Sequence, residues 1–183
     1  MTISKIKNQS IDRNDLTGSV LQVIHTNYTT LFNTSSTSFV DITGFNLTIT
    51  PSSTSSKIFL VINSTMSTYS GHSDINLTRS IGGATATSTG FIGDQSVSAR
   101  TASTFHQYTH PGFNTTWDMP IRSISFLDSP NTTSSIVYQL QGAVPHSATY
   151  TLYINRQTSE ADAAYSSRNI SSMTAMEIAG WVI

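Results

Sequence analysis

Cysteine is absent from the 183 residues and charge is scarce, with nine Lys and Arg against ten Asp and Glu and a formal net charge of −1. Without Cys there can be neither disulfides nor thiolate zinc sites, so durability must come from packing, backbone pairing or oligomerisation, all compatible with folding in a reducing cytoplasm. The cations are scattered from Lys5 to Arg168 and form no basic patch, which argues against nucleic-acid binding through phosphate neutralisation. No window approaches the roughly 18 apolar residues that a membrane span needs, so membrane insertion is not expected. The lysines of the first ten residues are followed by no apolar run, so no signal peptide is expected either.

What fills the place of charge is hydroxyl: 58 residues are Ser or Thr. Typical domains are about one-quarter charged, so this surface is of another kind. Hydroxyl-rich tracts can be disordered for want of apolar burial. Here the apolar residues recur at period two, which a disordered tract has no reason to show. Phe45, Leu47 and Ile49 alternate with Asn46, Thr48 and Thr50; Ile58, Leu60 and Ile62 share one face; Tyr150, Leu152 and Ile154 share another. A strand with this pattern buries one face and wets the other, and β-branched Thr suits the wet face.

Strand candidates lie near Ser19 to His25, Ser38 to Ile42, Phe45 to Thr50, Lys57 to Ser64, Asp74 to Ile81, Val97 to His106, Met119 to Leu127, Ser135 to Gln141, Ala148 to Asn155 and Ile170 to Ile178. Between them stand turn formers: Pro51-Ser52-Ser53, Gly82-Gly83, Pro111-Gly112, Ser129-Pro130-Asn131 and Pro145-His146. A short helix over Ser159 to Ser166 competes with an ordered loop. The length suits one core. The expected fold is therefore all-β: one antiparallel, jelly-roll-like β-sandwich over residues 18–183, preceded by an extended N-terminal arm over residues 1–17. The arm, with Ile3, Ile6 and Ile11, is read as a docking segment, a floppy N-terminus being the alternative. The apolar end, Trp181, Val182 and Ile183, is expected to pair or to dock at an oligomer interface.

Catalytic patterns are sparse. Glu177 alternates with Met176 and Ile178, which puts it by default on a wet strand face, and the aspartates fall near strand ends, where Asp caps turns. No Gly-x-Ser-x-Gly is present. His106 and His110, four apart, could support a metal, but no neighbouring Asp, Glu or Cys completes a shell in the sequence, and a calcium-loop spacing is missing. We therefore expect no catalytic residue, no metal, no cofactor and no enzyme. Nine of the eleven asparagines stand in Asn-x-Ser/Thr triplets; several are expected at strand–turn junctions, bonding to backbone. Two aromatic clusters, Phe105, Tyr108, Phe113, Trp117 and Asp118, and Tyr69, His72 and Asp74, are either packing residues or a shallow sugar platform. A glycan contact would use Tyr108, Phe113, Trp117 and Asp118.

Several strings in order carry a resemblance. They are Ser19-Val20-Leu21-Gln22-Val23, Phe39-Val40-Asp41-Ile42-Thr43-Gly44, Leu47-Thr48-Ile49-Thr50-Pro51, Ser56-Lys57-Ile58, Ser125-Phe126-Leu127-Asp128-Ser129-Pro130, Tyr153-Ile154-Asn155-Arg156 and Met176-Glu177-Ile178-Ala179-Gly180. Across residues 18–180 the chain resembles virion structural and tail-fibre-type surface proteins of tailed bacteriophages, many from aquatic and cyanobacterial hosts. The resemblance carries no catalytic motif. It implies a place on the virion, after assembly in the host cytoplasm, as the exposed part of a homotrimeric appendage. The implied partners are further copies of the chain, a tail or fibre adaptor or the major capsid protein, and a host-surface glycan. Two roles follow: a short tail-fibre or fibre-head module for host recognition, or a capsid decoration (cement) protein clamping neighbouring capsid subunits. An arm of 17 residues reaches at most about 55 Å.

Overall fold

Period-two segments become strands because alternate side chains point to opposite sides of a pleated backbone, so a single apolar set can be buried at once. The computed structural model describes residues 17–69, 71–94, 98–110 and 117–180. Its strands are β1 (Val20–Tyr28), β2 (Phe32–Thr34), β3 (Val40–Ile49), β4 (Lys57–Thr68), β5 (His72–Ile81), β6 (Phe105–Tyr108), β7 (Ile121–Asp128), β8 (Ile136–Ala143), β9 (Leu152–Ile154) and β10 (Ser171–Ile178). No helix occurs among the described residues; Ser159 to Ser166 is an irregular loop with turns. The arm residues Ile3, Ile6 and Ile11, the terminal Trp181, Val182 and Ile183, Phe113 and the Pro111-Gly112 turn lie outside the described residues.

Leaving aside the three-residue strands β2 and β9, the other eight pair first with last, second with seventh, third with sixth and fourth with fifth. The pairs are β1 with β10, β3 with β8, β4 with β7 and β5 with β6, all antiparallel. Pairing of β10 with β4 and of β8 with β5 joins these ribbons into two sheets, β1-β10-β4-β7 and β3-β8-β5-β6. Beyond the end of β10, the last residues of β4 pair with β9, and β9 with β2. Ile58, Leu60 and Ile62 from one sheet and Ile42, Phe45, Leu77, Tyr138 and Leu140 from the other meet in one buried cluster, an arrangement compatible with a β-sandwich. Each such side chain contributes about 1.5–3 kcal/mol by leaving water.

The segments expected at Ser38 to Ile42 and Phe45 to Thr50 are one strand, β3. Its register shifts between Asp41 and Asn46, where Gly44 adopts φ +85°, a left-handed conformation open to glycine. The bulge leaves carbonyls unpaired, and the Gln139 side-chain amide donates to those of Ile42 and Phe45, at 3.0 and 3.2 Å. Of the candidate at Val97 to His106, Val97 lies outside the described residues, and the strand found there is β6, which begins at Phe105. Before it, the chain follows the β5 edge as a loop: the Thr104 amide donates to the Ile75 carbonyl, and the Thr104 hydroxyl accepts from the Leu77 amide.

Two readings of polar residues are corrected. Glu177 is buried at 1% exposure, because β10 buries Ser171, Met173, Ala175 and Glu177 and turns Ser172, Thr174, Met176 and Ile178 outward. Its carboxylate accepts from the Ser52 amide (2.6 Å), the Ser52 and Ser56 hydroxyls (both 2.7 Å) and Gln22 Nε2 (2.6 Å). Burial alone would raise its pKa; the bonds from Ser52, Ser56 and Gln22 outweigh that and hold it below the ordinary glutamate value. Nor are hydroxyls only surface material. Ser64, Thr65, Ser67 and Thr68 are all buried where β4 changes partner from β10 to β9. There Asn155 Oδ1 accepts from Thr65 and Ser171, while its amide donates to the carbonyls of Tyr28 and Thr30. In the loops, hydroxyls of Thr34, Ser36, Ser53, Thr87, Thr132 and Ser147 each accept from the amide two residues on, closing turns without charge. The Asn-x-Ser/Thr asparagines 27, 33, 46, 63 and 76 lie within strands rather than at turns.

Candidate functional site

Antiparallel pairing of β5 with β6 sets His72 opposite Tyr108 and Asp74 opposite His106. The chain leaving β8 brings Pro145 and His146 to the same place, since β8 ends beside the start of β5. Residues far apart in sequence thus line a hollow of about 630 Å³ at one end of the sheets: His72, Asp74, Arg100, His106 and His146, with Ala99, Thr101, Ser103 and Pro145 completing its wall. Four of the five histidines are linked here. His72 lies 5.3 Å from His106 and 5.1 Å from His146, ring centre to ring centre; it stacks on Tyr108 at 4.4 Å, and Tyr108 meets His110 edge-on at 6.0 Å. His146 in turn stacks on Tyr150 at 5.9 Å.

The polar chain inside the cluster has a direction. Asp74 is buried, and its Oδ1 stands 3.1 Å from His106 Nδ1. A carboxylate can only accept there, so Nδ1 carries the proton, and in the neutral ring His106 Nε2 is bare. That Nε2 stands 3.3 Å from His72 Nδ1, which donates to it. Burial, then the neighbouring His106 and His146, hold the His72 pKa below the ordinary histidine value, against the opposing pull of Asp74. The neutral form of His72 is thereby favoured. Sequence spacing singles out His106 with His110 and finds no acid beside them; the sheet register instead joins His106 to His72 and to Asp74, an acid 32 residues away. Only strand pairing could reveal this.

A second, smaller cleft of about 210 Å³ lies alongside, lined by Tyr108, His110, Asp118 and Arg122 with Thr68, Gln107, Thr109 and Pro120. It brings Tyr108 and Asp118 together, as a shared sugar contact requires. Trp117 stands elsewhere: its ring meets Tyr165 edge-on at 5.1 Å, and its carbonyl accepts from Gln157 Nε2. Tyr108 is 49% exposed, so one ring face is backed by His72 while the rest is offered to solvent. Exposed aromatic surface beside Asp, Arg and imidazole groups can stack on a sugar ring and bond its hydroxyls. No group of three His, Asp or Glu side chains is placed to enclose a metal ion among the described residues.

The outward side of the first sheet has another character. Ile58, Leu60 and Ile62 point inward, so Phe59, Val61 and Asn63 point out, and the register carries this across four strands. Val23, Met176, Phe59 and Leu127 form one row, His25, Thr174, Val61 and Ser125 the next, Asn27, Ser172, Asn63 and Ser123 a third. None of the twelve is Asp, Glu, Lys or Arg. Val23 and Leu127 are 54% and 63% exposed.

Comparison with protein-family models and with curated proteins found no match.

Proposed function

We propose that the chain is a non-enzymatic structural protein on the exterior of a tailed-phage virion, a short tail-fibre or fibre-head module that presents loops for host recognition. The observation that carries the proposal is the division of the surface. An apolar row crosses the outward side of the first sheet, beside the point where both chain ends leave at Gly18 and Ala179. The histidine–tyrosine hollow and the cleft with Tyr108 and Asp118 open at the other end of β4, about 30 Å away at 3.3 Å per residue from Phe59 to Thr68. A molecule fixed at one end and recognising at the other needs this division. The nested pairing is the pattern of a jelly roll, an architecture that serves in viral capsids and lectins alike. The apolar row is the surface through which further copies, in a homotrimer, would pack on one another.

The second reading, a capsid decoration protein, rests on the same row. It lies across the broad side of the sheet rather than at its tip, which suits lateral clamping onto another subunit. Copy number on purified particles separates the two: a few tens or fewer for an appendage, hundreds for decoration. Blocking of phage adsorption by the purified protein supports the appendage. A stable monomer in sedimentation, with no effect on adsorption, rejects it. Glycan-array binding that is lost in Tyr108→Ala places recognition in the cleft.

A further inference from the structure

We infer that His72 Nδ1 and His106 Nε2 form a two-histidine site for a borderline divalent cation of the zinc, copper or nickel class, with its remaining positions open to the hollow. The spacing is the first observation. Two nitrogens bound to one tetrahedral zinc at about 2.0–2.1 Å stand about 3.3 Å apart, and these two are 3.3 Å apart and face each other. The second is the support behind His106. Buried Asp74 holds the Nδ1 proton, which fixes the tautomer and aims a bare Nε2 at the site, as carboxylates do behind metal-bound histidines. The third is the fixed plane of His72, stacked on Tyr108 at 4.4 Å.

Binding needs one rearrangement of atoms. The proton that His72 Nδ1 shares with His106 moves to His72 Nε2, and the ion sits off the line joining the two nitrogens, where both lone pairs reach it at about 2.0–2.1 Å. No net proton is released. Asp74 and Arg100 both line the hollow. Imidazole favours zinc, copper and nickel over magnesium and calcium, so selectivity follows from the ligands. Water, or the hydroxyl or carboxylate of a bound molecule, fills the open positions, and His146 is the nearest side chain that could swing in, its ring 5.1 Å from that of His72. This inference does not rest on the virion assignment.

The test uses the untagged full chain titrated with zinc chloride by calorimetry, with histidine ring resonances followed by NMR. One ion per chain is expected, with the His72 and His106 rings shifting and the His25 ring unmoved. His72→Ala should abolish binding, His25→Ala should leave it intact, and Asp74→Asn should weaken it about ten- to a hundredfold. Absence of zinc binding overturns the inference, as does binding that survives His72→Ala or that shifts His25 instead. Should His72→Ala fail to fold, the ring shifts of the unaltered protein still decide.

Discussion

The two sheets differ most on their outward sides. On the second, polar side chains saturate one another. Gln141 donates to Asp41, Asn46 to Gln139, the Thr78 hydroxyl to the Gln139 carbonyl and the Thr104 amide to Asn76. Asn76 and Thr78 are buried there as a result. On the first, Val23, Met176, Phe59 and Leu127 have no such covering. Both sides carry little charge, yet one is closed by its own hydrogen bonds while the other leaves an apolar row open beside its polar pairs. Hydroxyl and amide abundance therefore has two meanings in one molecule, internal cross-linking and uncharged outer surface.

The largest effect should come from the buried carboxylate near the end of β10. Glu177→Ala strands the Ser52 amide and the Ser52, Ser56 and Gln22 donors, and should cost about 2–3 kcal/mol in denaturant unfolding. The same carboxylate predicts a pH dependence. Its folded pKa lies below the ordinary 4.5, so the stability it adds is complete above that value and is lost as pH falls from 4.5 through the folded pKa. Melting temperature measured from pH 6 downward should fall in that window, and the fall should be smaller in Glu177→Gln.

Next comes the closed side. Gln139→Ala removes the amide that fills the β3 bulge, and a loss of about 1–2 kcal/mol is expected, with faster hydrogen exchange at residues 41–46. A loss no larger than that of an exposed Gln would mean that the bulge closes by itself. The open side should behave oppositely. Phe59→Ser with Met176→Ser should change monomer stability by less than about 1 kcal/mol while abolishing self-association in sedimentation. A strongly destabilised double variant would show that the row is packing rather than interface. The smallest effect concerns His72. Its lowered pKa means that stability drops slightly as pH falls below 6.5 toward its folded value, and His72→Gln should flatten that slope.

Much of the fold was legible in the sequence, for particular reasons. Ile58, Leu60 and Ile62 alternate cleanly, and all three are fully buried. Gly82 and Gly83 were read as a turn and have φ of +58° and +80°. Where legibility failed, a second body was involved. Phe32–Thr34 is too short to show a period and exists as β2 because β9 lies beside it. Glu177 was misread because alternation gives two faces without saying which is inner, and Met176 and Ile178 are the outer pair. Of the candidate sugar contacts, Tyr108 and Asp118 share a cleft, while Trp117 is drawn to Tyr165. Buried Tyr138 was unremarkable in sequence, yet its hydroxyl bonds Asp128, which also holds Arg79 at 2.5 Å. Burial and that bond push the tyrosine pKa up.

The sequence alone determined that this chain is built of strands, because period two is a local property of a pleated backbone and the apolar residues obey it. It also determined that cohesion would be free of disulfides, since Cys is absent. Tertiary structure alone decided which face of β10 is inside and which residues distant in sequence meet. The register of β5 against β6 placed His72, His106 and Asp74 together, and the register of four strands assembled the row from Val23 to Leu127. Register is a relation between strands, and a one-residue slip would send every side chain to the other side; no single segment contains that information.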